Sequence, residues 1–291
     1  MPILELTASE DSDRRAESAR SRLMLERSHA ARLGRSAVEI SRAGKYERAD
    51  GTTVDIGDGV KRAIESKESI PPDEAFSVPD EPRFASTRVW LINDTTLAVA
   101  RELADEDENT AALNFASGVN PGGGFLKGAR AQEETLCRSS ALYVTLKGDP
   151  MYDAHRKQSA PESSAWIIRS PNVPVFRNDA GEPLDESWRV TFLTCAAPNA
   201  SRVGSKRSHE LLDQRIHRVL ELSAARGQST LVLGAWGCGA FGNDPNGVAP
   251  MFKKHLEDFA GCFRTVVFAV TDWSKNRRTF GPFASALARA R

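Results

Sequence analysis

Residues 118–134 read GVNPGGGFLKGARAQEE, so that seven residues separate three consecutive glycines from the sequence Gln-Glu-Glu. Glycine adopts positive φ without strain and lets a ligand approach the backbone closely. Free N–H groups near the start of a helix form a ready anion site. A surface loop would explain the glycines alone, and a helix start would explain the two acidic residues alone. Their combination in one short segment indicates a ligand-binding loop.

The segment lies between a predicted strand and a predicted helix, and the same alternation continues through the rest of the chain. Such alternation predicts an α/β layered fold with a largely parallel central sheet, in which ligands bind beyond the carboxyl ends of the strands. The predicted strands are 88–93, 111–117, 164–170, 189–197, 230–236 and 265–270. The predicted helices are 95–105, 132–147, 207–226, 246–260 and 275–290.

A second glycine-rich loop, Gly237 to Gly247, follows the predicted strand 230–236. It lacks the G-K-[ST] ending of a nucleotide-triphosphate loop, and its glycines do not fit G-x-G-x-x-G. Two glycine loops at neighbouring strand ends suit a diphosphate held by backbone amides. Phe241 lies among small residues in this loop and either contacts a sugar or folds back onto the core.

The first 83 residues differ in character from the rest of the chain. Spaced apolar positions between Asp11 and Ala43 predict one or two amphipathic helices that end near Gly44. A small hairpin or extended strand is predicted next, and the prolines of segment 69–84 exclude a regular helix. We therefore predict an N-terminal helical extension with a proline-rich connector at 1–83 and the main domain at 84–291.

Composition excludes several classes of function. Lys+Arg and Asp+Glu both total 39, so the formal net charge is zero. The chain as a whole therefore has no positive field that would attract nucleic acid or an anionic membrane. The four cysteines and five histidines lack the spacing of a zinc site. We therefore predict that the cysteines are reduced, buried thiols and that the histidines lie at surface or helix-cap positions. No secretory signal and no apolar run of about 20 residues are found. These features predict a cytoplasmic protein.

Adjacent helical residues point about 100° apart, which constrains what Glu133 and Glu134 can do together. They cannot be the facing acid/base pair of an ordinary glycosidase, whose carboxyl groups lie ~5–10 Å apart across the sugar. One carboxylate can instead hold a ribose hydroxyl while the other reaches the bond that is cleaved.

The spacing of GGG and QEE resembles the signature of the poly(ADP-ribose) glycohydrolases in their microbial form. GAWGCGAFGNDP (234–245) is similar to the diphosphate-binding loop of this family, with its phenylalanine on the terminal ribose. VEISRAGKY (38–46) resembles the helical extension of the microbial members. The resemblance implies a macrodomain-like three-layer fold, with a mixed, largely parallel sheet flanked by helices, and makes residues 84–291 the catalytic domain.

The activity that this resemblance implies is hydrolysis of the ribose–ribose O-glycosidic bonds of poly(ADP-ribose), with ADP-ribose as product. Carried over by position, Glu134 is the general acid/base and Glu133 orients the ribose. A protonated Glu134 would donate to the departing 2′ oxygen, and its carboxylate would then activate water. Burial beside Glu133 and the diphosphate would keep part of Glu134 in the acid form near neutral pH.

The scheme requires no metal or cofactor, and its partners are poly(ADP-ribose) and poly(ADP-ribosyl)ated proteins. Neither membrane binding nor sequence-specific nucleic-acid binding is expected. The family often has Phe-Ala-Asn where this chain has Phe115-Ala116-Ser117. The hydrogen bond that this asparagine makes to the substrate would then be supplied by Ser117 or Asn120. The other residues implied to bind ADP-ribose are Gly122, Gly123, Gly124, Gln132, Gly237, Cys238, Gly239, Ala240, Phe241 and Gly242. Gln132 would also support the carboxylate pair.

Other assignments remain open at this point. A module that binds ADP-ribose without cleaving it would need the glycine loops but not Glu134. Hydrolysis of single ADP-ribose groups from proteins would need a site open to a protein side chain. Cys238 has no histidine placed to activate it as a nucleophile, which favours a role as a small residue. Phe280 is a candidate platform for adenine or a core residue.

Overall fold

The computed structural model describes residues 2–107, 109–157 and 162–289. Its strands are β1 (Ile3–Leu6), β2 (Lys45–Glu47), β3 (Thr53–Asp55), β4 (Glu68–Ile70), β5 (Ser86–Ile92), β6 (Thr110–Ala116), β7 (Ile167–Arg177), β8 (Pro183–Ala196), β9 (Thr230–Leu233) and β10 (Thr265–Ala269). Its helices are α1 (Asp13–Leu23), α2 (Arg27–Ala43), α3 (Gly57–Glu65), α4 (Thr96–Glu106), α5 (Gln132–Ser139), α6 (Leu142–Leu146), α7 (Pro150–Lys157), α8 (Ala200–Val203), α9 (Ser205–Ala225), α10 (Pro245–Asp258) and α11 (Phe280–Leu287). A 3-10 turn covers Phe125–Lys127.

An eight-stranded sheet in the order β1-β5-β10-β9-β6-β8-β7-β4 forms the centre of the described chain. Neighbouring strands are parallel from β1 through to β8. The pairs β8–β7 and β7–β4 are antiparallel. The predicted mixed, largely parallel sheet is confirmed, and the carboxyl ends of its parallel strands meet at one edge.

Helices cover both faces of the sheet, because the side chains of each strand alternate between two apolar cores. In β10, Val266 and Phe268 belong to one core, and Val267 and Ala269 belong to the other. The first core contains residues of α9, α10 and α11, and the second contains residues of α2 through α7. The predicted three-layer arrangement is therefore confirmed.

The N-terminal segment contains the predicted helices and hairpin. Gly44 caps the C-terminus of α2, and its φ of 66° is the left-handed conformation that glycine adopts without strain. The strands β2 and β3 form the antiparallel hairpin. The segment also supplies both edge strands of the central sheet, β1 and β4. The boundary between 83 and 84 stays a prediction.

Several predicted elements differ from the structure, and the predicted strand 189–197 begins six residues earlier, at Pro183. The predicted helix 132–147 is two helices, because Ser140 is extended and the amide of Ala141 donates to Pro174 O. The predicted strand 164–170 continues to Arg177 through two register shifts, which accommodate the prolines of β7. The last helix begins only at Phe280, because the backbone amides of Thr279 and Phe280 donate to Asp272.

The four cysteines are free thiols, as the sequence predicts. Cys137 and Cys195 are buried, and Cys238 and Cys262 are partly exposed rather than buried. None of the helices in the described residues has the length and apolar character that crossing a membrane requires.

Candidate active site

A cavity of about 530 Å³ lies beyond the carboxyl ends of the parallel strands, where such sheets bind ligands. Loops that follow five different strands contribute residues to its wall. These residues include Thr95 after β5, Ser117 after β6, Ala197 after β8, Ala235 after β9 and Thr271 after β10. Leu23 and Met24, at the end of α1, form part of the wall as well.

Gln132, the first residue of α5, holds the helix start against the sheet. Strand β9 pairs with β6 only as far as Ala112, which leaves the next backbone groups of β6 without a strand partner on that side. The Gln132 side chain accepts from Phe115 N at 2.9 Å and donates to Leu113 O at 2.7 Å. The side-chain amide of Gln132 thus makes the two hydrogen bonds that a neighbouring strand would otherwise make. Gln132 also lines the cavity, so the predicted supporting role and a ligand contact are compatible.

Glu133 is buried, with 3% of its surface exposed, and its carboxylate is bonded to the segment around β6. Oε2 accepts from Ser117 N at 2.7 Å, and Oε1 accepts from the Asn114 side chain at 3.5 Å. Desolvation by burial raises the pKa of Glu133 to about 8, opposed by the Ser117 hydrogen bond and reinforced by the charge of Glu134. The sequence predicts the retained proton on Glu134, whereas burial raises the pKa of Glu133.

Glu134 presents its two oxygens differently. Oε1 accepts from Gly124 N at 2.8 Å. Oε2 is buried and has no hydrogen-bond partner among the described residues. The residue is 8% exposed and lines the cavity. One oxygen is therefore fixed by the glycine loop, while the other is buried beside the cavity without a hydrogen bond among the described residues.

Glu133→Gln is expected to become more stable relative to the parent chain as the pH rises. The folded chain keeps the Glu133 proton up to about pH 8, whereas an ordinary carboxyl of pKa 4.5 loses it in the unfolded chain. The contribution of the protonated form is therefore present below pH 4.5 and is lost as the pH rises towards 8. Glutamine is neutral over this whole pH range, so Glu133→Gln does not lose stability in this way as the pH rises.

Melting temperatures of the two chains across this pH range measure the effect. The same substitution at Glu39, which is exposed on α2, is the control. A difference between Glu133→Gln and the parent chain that does not change with pH would contradict the raised pKa.

Gly123 and Gly124 lie against the carboxylates, Gly122 lies against Phe125 and Cys137, and none of the three lines the cavity. Gly122 and Gly123 have φ of 69° and 58°. A β-carbon at Gly123 would lie 2.3 Å from Glu134 Oε1 and 3.0 Å from Glu133 Oε2. The amides of Gly123 and Gly124 donate to Asn120 O and Glu134 Oε1. This loop makes room for the carboxylates and holds one of them, whereas the sequence predicts that its amides bind a diphosphate.

Ser117 and Asn120, the two substitutes for the asparagine of the family motif, have different positions. Ser117 lines the cavity, and its hydroxyl accepts from Asn120 N at 3.1 Å. Asn120 is exposed and does not line the cavity. Ser117 is therefore the better placed of the two to contact a ligand.

The second glycine loop lines the cavity from Gly237 to Phe241. Asn243 closes the loop, because its side chain donates to Pro198 O at 2.9 Å and to Gly237 O at 3.1 Å. Gly242, the last glycine of the predicted set, donates to Gly239 O. Within the described part of the chain, the amides of Gly239, Ala240 and Phe241 donate to no protein acceptor. Three consecutive free amides at a cavity form the kind of nest that binds an anion.

Cys238 and Phe241 are the two larger side chains of this loop. Burial raises the pKa of the Cys238 thiol to about 12, which disfavours the nucleophilic thiolate. Phe241 packs against the first core and also lines the cavity. Its ring is thus placed for both of the roles considered from the sequence.

Trp273 is a cavity residue that the sequence argument missed. It follows β10 and is 43% exposed at the wall of the cavity. Its place three residues beyond the predicted strand 265–270 is the signal that could have identified it. Phe280, the sequence candidate for adenine, is buried in the first core and does not line the cavity.

The prediction that the histidines lie at surface or cap positions is wrong for His155 and His255, which are buried. The Nε2 of His155 accepts from Ser164 N, so its Nδ1 donates to Gly118 O at 2.8 Å. Burial lowers the pKa of His155. This neutral ring ties the beginning of the first glycine loop to the segment before β7.

Comparison with known proteins identifies the family to which this chain belongs. The family model described as "Microbial-type PARG, catalytic domain" matches residues 34–178. The poly(ADP-ribose) glycohydrolase (PARG) of Thermomonospora curvata is 40% identical, with a TM-score of 0.81, over 89% of this chain and 99% of that chain. A structure of the same enzyme bound to the inhibitor ADP-HPD is 41% identical, with a TM-score of 0.81, over 88% of this chain and 98% of that chain.

The enzyme of Deinococcus radiodurans in complex with ADP-ribose is 37% identical, with a TM-score of 0.71, over 80% of this chain and 98% of that chain. A search of the curated proteins found no match. The fold and its carboxylate-lined cavity, taken with these matches, define a macrodomain-like glycohydrolase. Within that class, the chain belongs to the microbial-type poly(ADP-ribose) glycohydrolase family. The resemblance seen in the sequence is thereby confirmed.

Proposed function

We propose that this chain hydrolyses the ribose–ribose O-glycosidic bonds of poly(ADP-ribose), free or attached to proteins, with Glu134 as the general acid and base. The observation that supports this role for Glu134 is that one of its carboxylate oxygens is hydrogen-bonded and the other is not. Oε1 is held by Gly124 N, and the buried Oε2 has no partner among the described residues. A buried carboxylate oxygen without a partner is costly for folding and is typical of a reactive group.

The reaction begins with a proton on Oε2 of Glu134. As the bond between C1 of the terminal ribose and the 2′ oxygen of the preceding unit breaks, this proton moves to the departing oxygen. The carboxylate then takes a proton from water, whose oxygen forms the new bond to C1. Burial, together with the charge of Glu134, raises the pKa of Glu133, so this pair of carboxyl groups retains one proton near neutral pH. The scheme requires that proton to be on Glu134 when the bond breaks.

The diphosphate of the terminal unit is assigned to the second glycine loop. The free amides of Gly239, Ala240 and Phe241 can donate to phosphate oxygens without any cationic side chain. Phe241 is adjacent and would contact the ribose that carries C1. This arrangement leaves the adenine for another part of the wall.

Trp273→Ala is expected to weaken ADP-ribose binding by about 5- to 100-fold, the range that corresponds to loss of one aromatic–base stack. Its ring is more exposed than those of the other aromatic residues in the cavity wall, Phe115, Trp236 and Phe241. The dissociation constant of ADP-ribose, measured by calorimetry, checks the effect. Ile64→Ala is the matched control, because Ile64 is also 43% exposed but lies outside the cavity wall. Equal affinities of the two variants would rule out the stack.

Release of free ADP-ribose from purified poly(ADP-ribose) tests the function itself. We expect release that continues with a chelator present and that ADP-HPD inhibits. A protein that carries single ADP-ribose groups serves as the comparison substrate and should be cleaved far more slowly. Binding of ADP-ribose without release from either substrate would identify a non-catalytic binding module, and preferred cleavage of the single groups would identify the other hydrolase considered.

A further inference from the structure

Four side chains with metal-binding chemistry meet where α9 packs against α10. Asp213 and His217 are four residues apart on α9, and His255 and Asp258 are three residues apart on α10, so each pair lies on one helix face. None of these residues lines the cavity described above. The glycohydrolase mechanism makes no use of them.

The ring of His255 is the centre of this cluster. Its Nε2 lies 2.9 Å from Asp213 Oδ1. Its Nδ1 is buried, has no hydrogen-bond partner among the described residues, and lies 3.8 Å from Asp258 Oδ2. One ligand atom from each of His217, His255 and Asp258 can be chosen so that all lie within 4.8 Å of one another.

Asp213 determines what Nδ1 of His255 can do. When Nε2–H donates to the Asp213 carboxylate, a neutral ring carries its lone pair on Nδ1. A carboxylate behind a histidine in this way is the usual support of a histidine that binds zinc. The ring packs edge-on to His217 at 5.2 Å between centroids, which fills space but leaves Nδ1 without a partner. Lys254 lies 3.3 Å from both Asp213 oxygens, which suits a supporting rather than a coordinating carboxylate.

We propose that His217, His255 and Asp258 bind a first-row transition-metal dication such as Zn²⁺, with Asp213 orienting His255. Two imidazoles and one carboxylate suit Zn²⁺ or Co²⁺, whereas Mg²⁺ and Ca²⁺ prefer oxygen ligands alone. Tetrahedral bonds of ~2.1 Å place ligand atoms about 3.4 Å apart. His217 and Asp258 are exposed and can reach this spacing by side-chain rotation, with water as the fourth ligand. The metal would join α9 to α10, the helix that follows the second glycine loop.

Titration of the purified full-length chain with CoCl₂ tests the site through the visible absorption of bound Co²⁺, followed by displacement with ZnCl₂. We expect one Co²⁺ per chain, and at least about tenfold weaker binding in His217→Ala and Asp258→Asn. Asp213→Asn should weaken binding by about 10- to 100-fold, as loss of a supporting carboxylate does. His209→Ala is the matched control, because His209 is an exposed histidine on the same helix outside the cluster.

The exposure of His217 and Asp258 makes both variants compatible with folding, and their far-UV circular dichroism verifies it. ZnCl₂ should raise the melting temperature of the parent chain and of His209→Ala, but not that of His217→Ala. Equal Co²⁺ affinity in the parent chain and His217→Ala would overturn the proposal. An intense thiolate charge-transfer band would also overturn it, since the ion would then be bound by a cysteine such as the partly exposed Cys262.

Discussion

Glu134→Gln is expected to lower kcat for ADP-ribose release by about 10²- to 10⁴-fold, the contribution of a positioned general acid and base. Glutamine has the same shape and can still accept from Gly124 N, as Oε1 of Glu134 does. It cannot transfer a proton to the departing 2′ oxygen. Because the lost interaction belongs to the transition state, kcat should fall while the dissociation constant of ADP-ribose stays within about threefold.

Single-turnover release from poly(ADP-ribose) and calorimetric binding of ADP-ribose give the two quantities. Glu39→Gln, the same chemical change at an exposed position of α2, should leave both unaltered. If Glu134→Gln retains the kcat of the parent chain, Glu134 is not the acid, and Glu133 becomes the residue to test. If affinity falls together with kcat, the side chain acts in binding.

Gly123→Ala is expected to lower kcat by about 10²-fold although no reactive group is removed, the size of effect that a displacement of about 1 Å can produce. The new methyl group would lie 2.3 Å from Glu134 Oε1 and 3.0 Å from Glu133 Oε2, so both carboxylates must shift. The φ of 58° at this position adds backbone strain of about 1–2 kcal/mol for a residue with a side chain.

The strain and the clash can be separated with a second glycine. Gly148 has φ of 79°, and a β-carbon there would meet nothing within 4 Å. Gly148→Ala should therefore lose stability but keep its kcat, whereas Gly123→Ala should lose both. Equal kcat values for the two variants would show that the carboxylates tolerate displacement, contrary to the role assigned to the loop.

The layers of the fold could be predicted because they depend on local patterns. Apolar runs such as residues 265–270 have the composition of a buried strand, and the glycines mark where strands end. The ends of parallel strands converge in every such sheet, so both glycine loops could be expected near one site. The lengths of β7 and β8 could not be predicted, since register shifts around the prolines of β7 depend on the partner strand.

Within the site, the sequence predicts which residues are present better than it predicts their hydrogen bonds and protonation. The adjacent carboxylates could be selected from the sequence, but the raised pKa of Glu133 depends on how deeply α5 packs. The burial of His155 results from contacts with Gly118 and Ser164, neither of which its own neighbours reveal. The hydrogen bonds of Gln132 depend on where β9 ends beside β6, which is a property of the assembled sheet.

The contact between Gln132 and β6 has a consequence for turnover. Since its side chain bonds to two backbone groups of a central strand, the start of α5 is anchored directly to the central sheet. Glu133 and Glu134 follow this helix start directly and share its restraint, so in the proposed reaction the alignment of their carboxylates costs little reorganisation free energy. Leu23 and Met24, at the end of α1, are the residues that the N-terminal segment contributes to the wall of the same cavity.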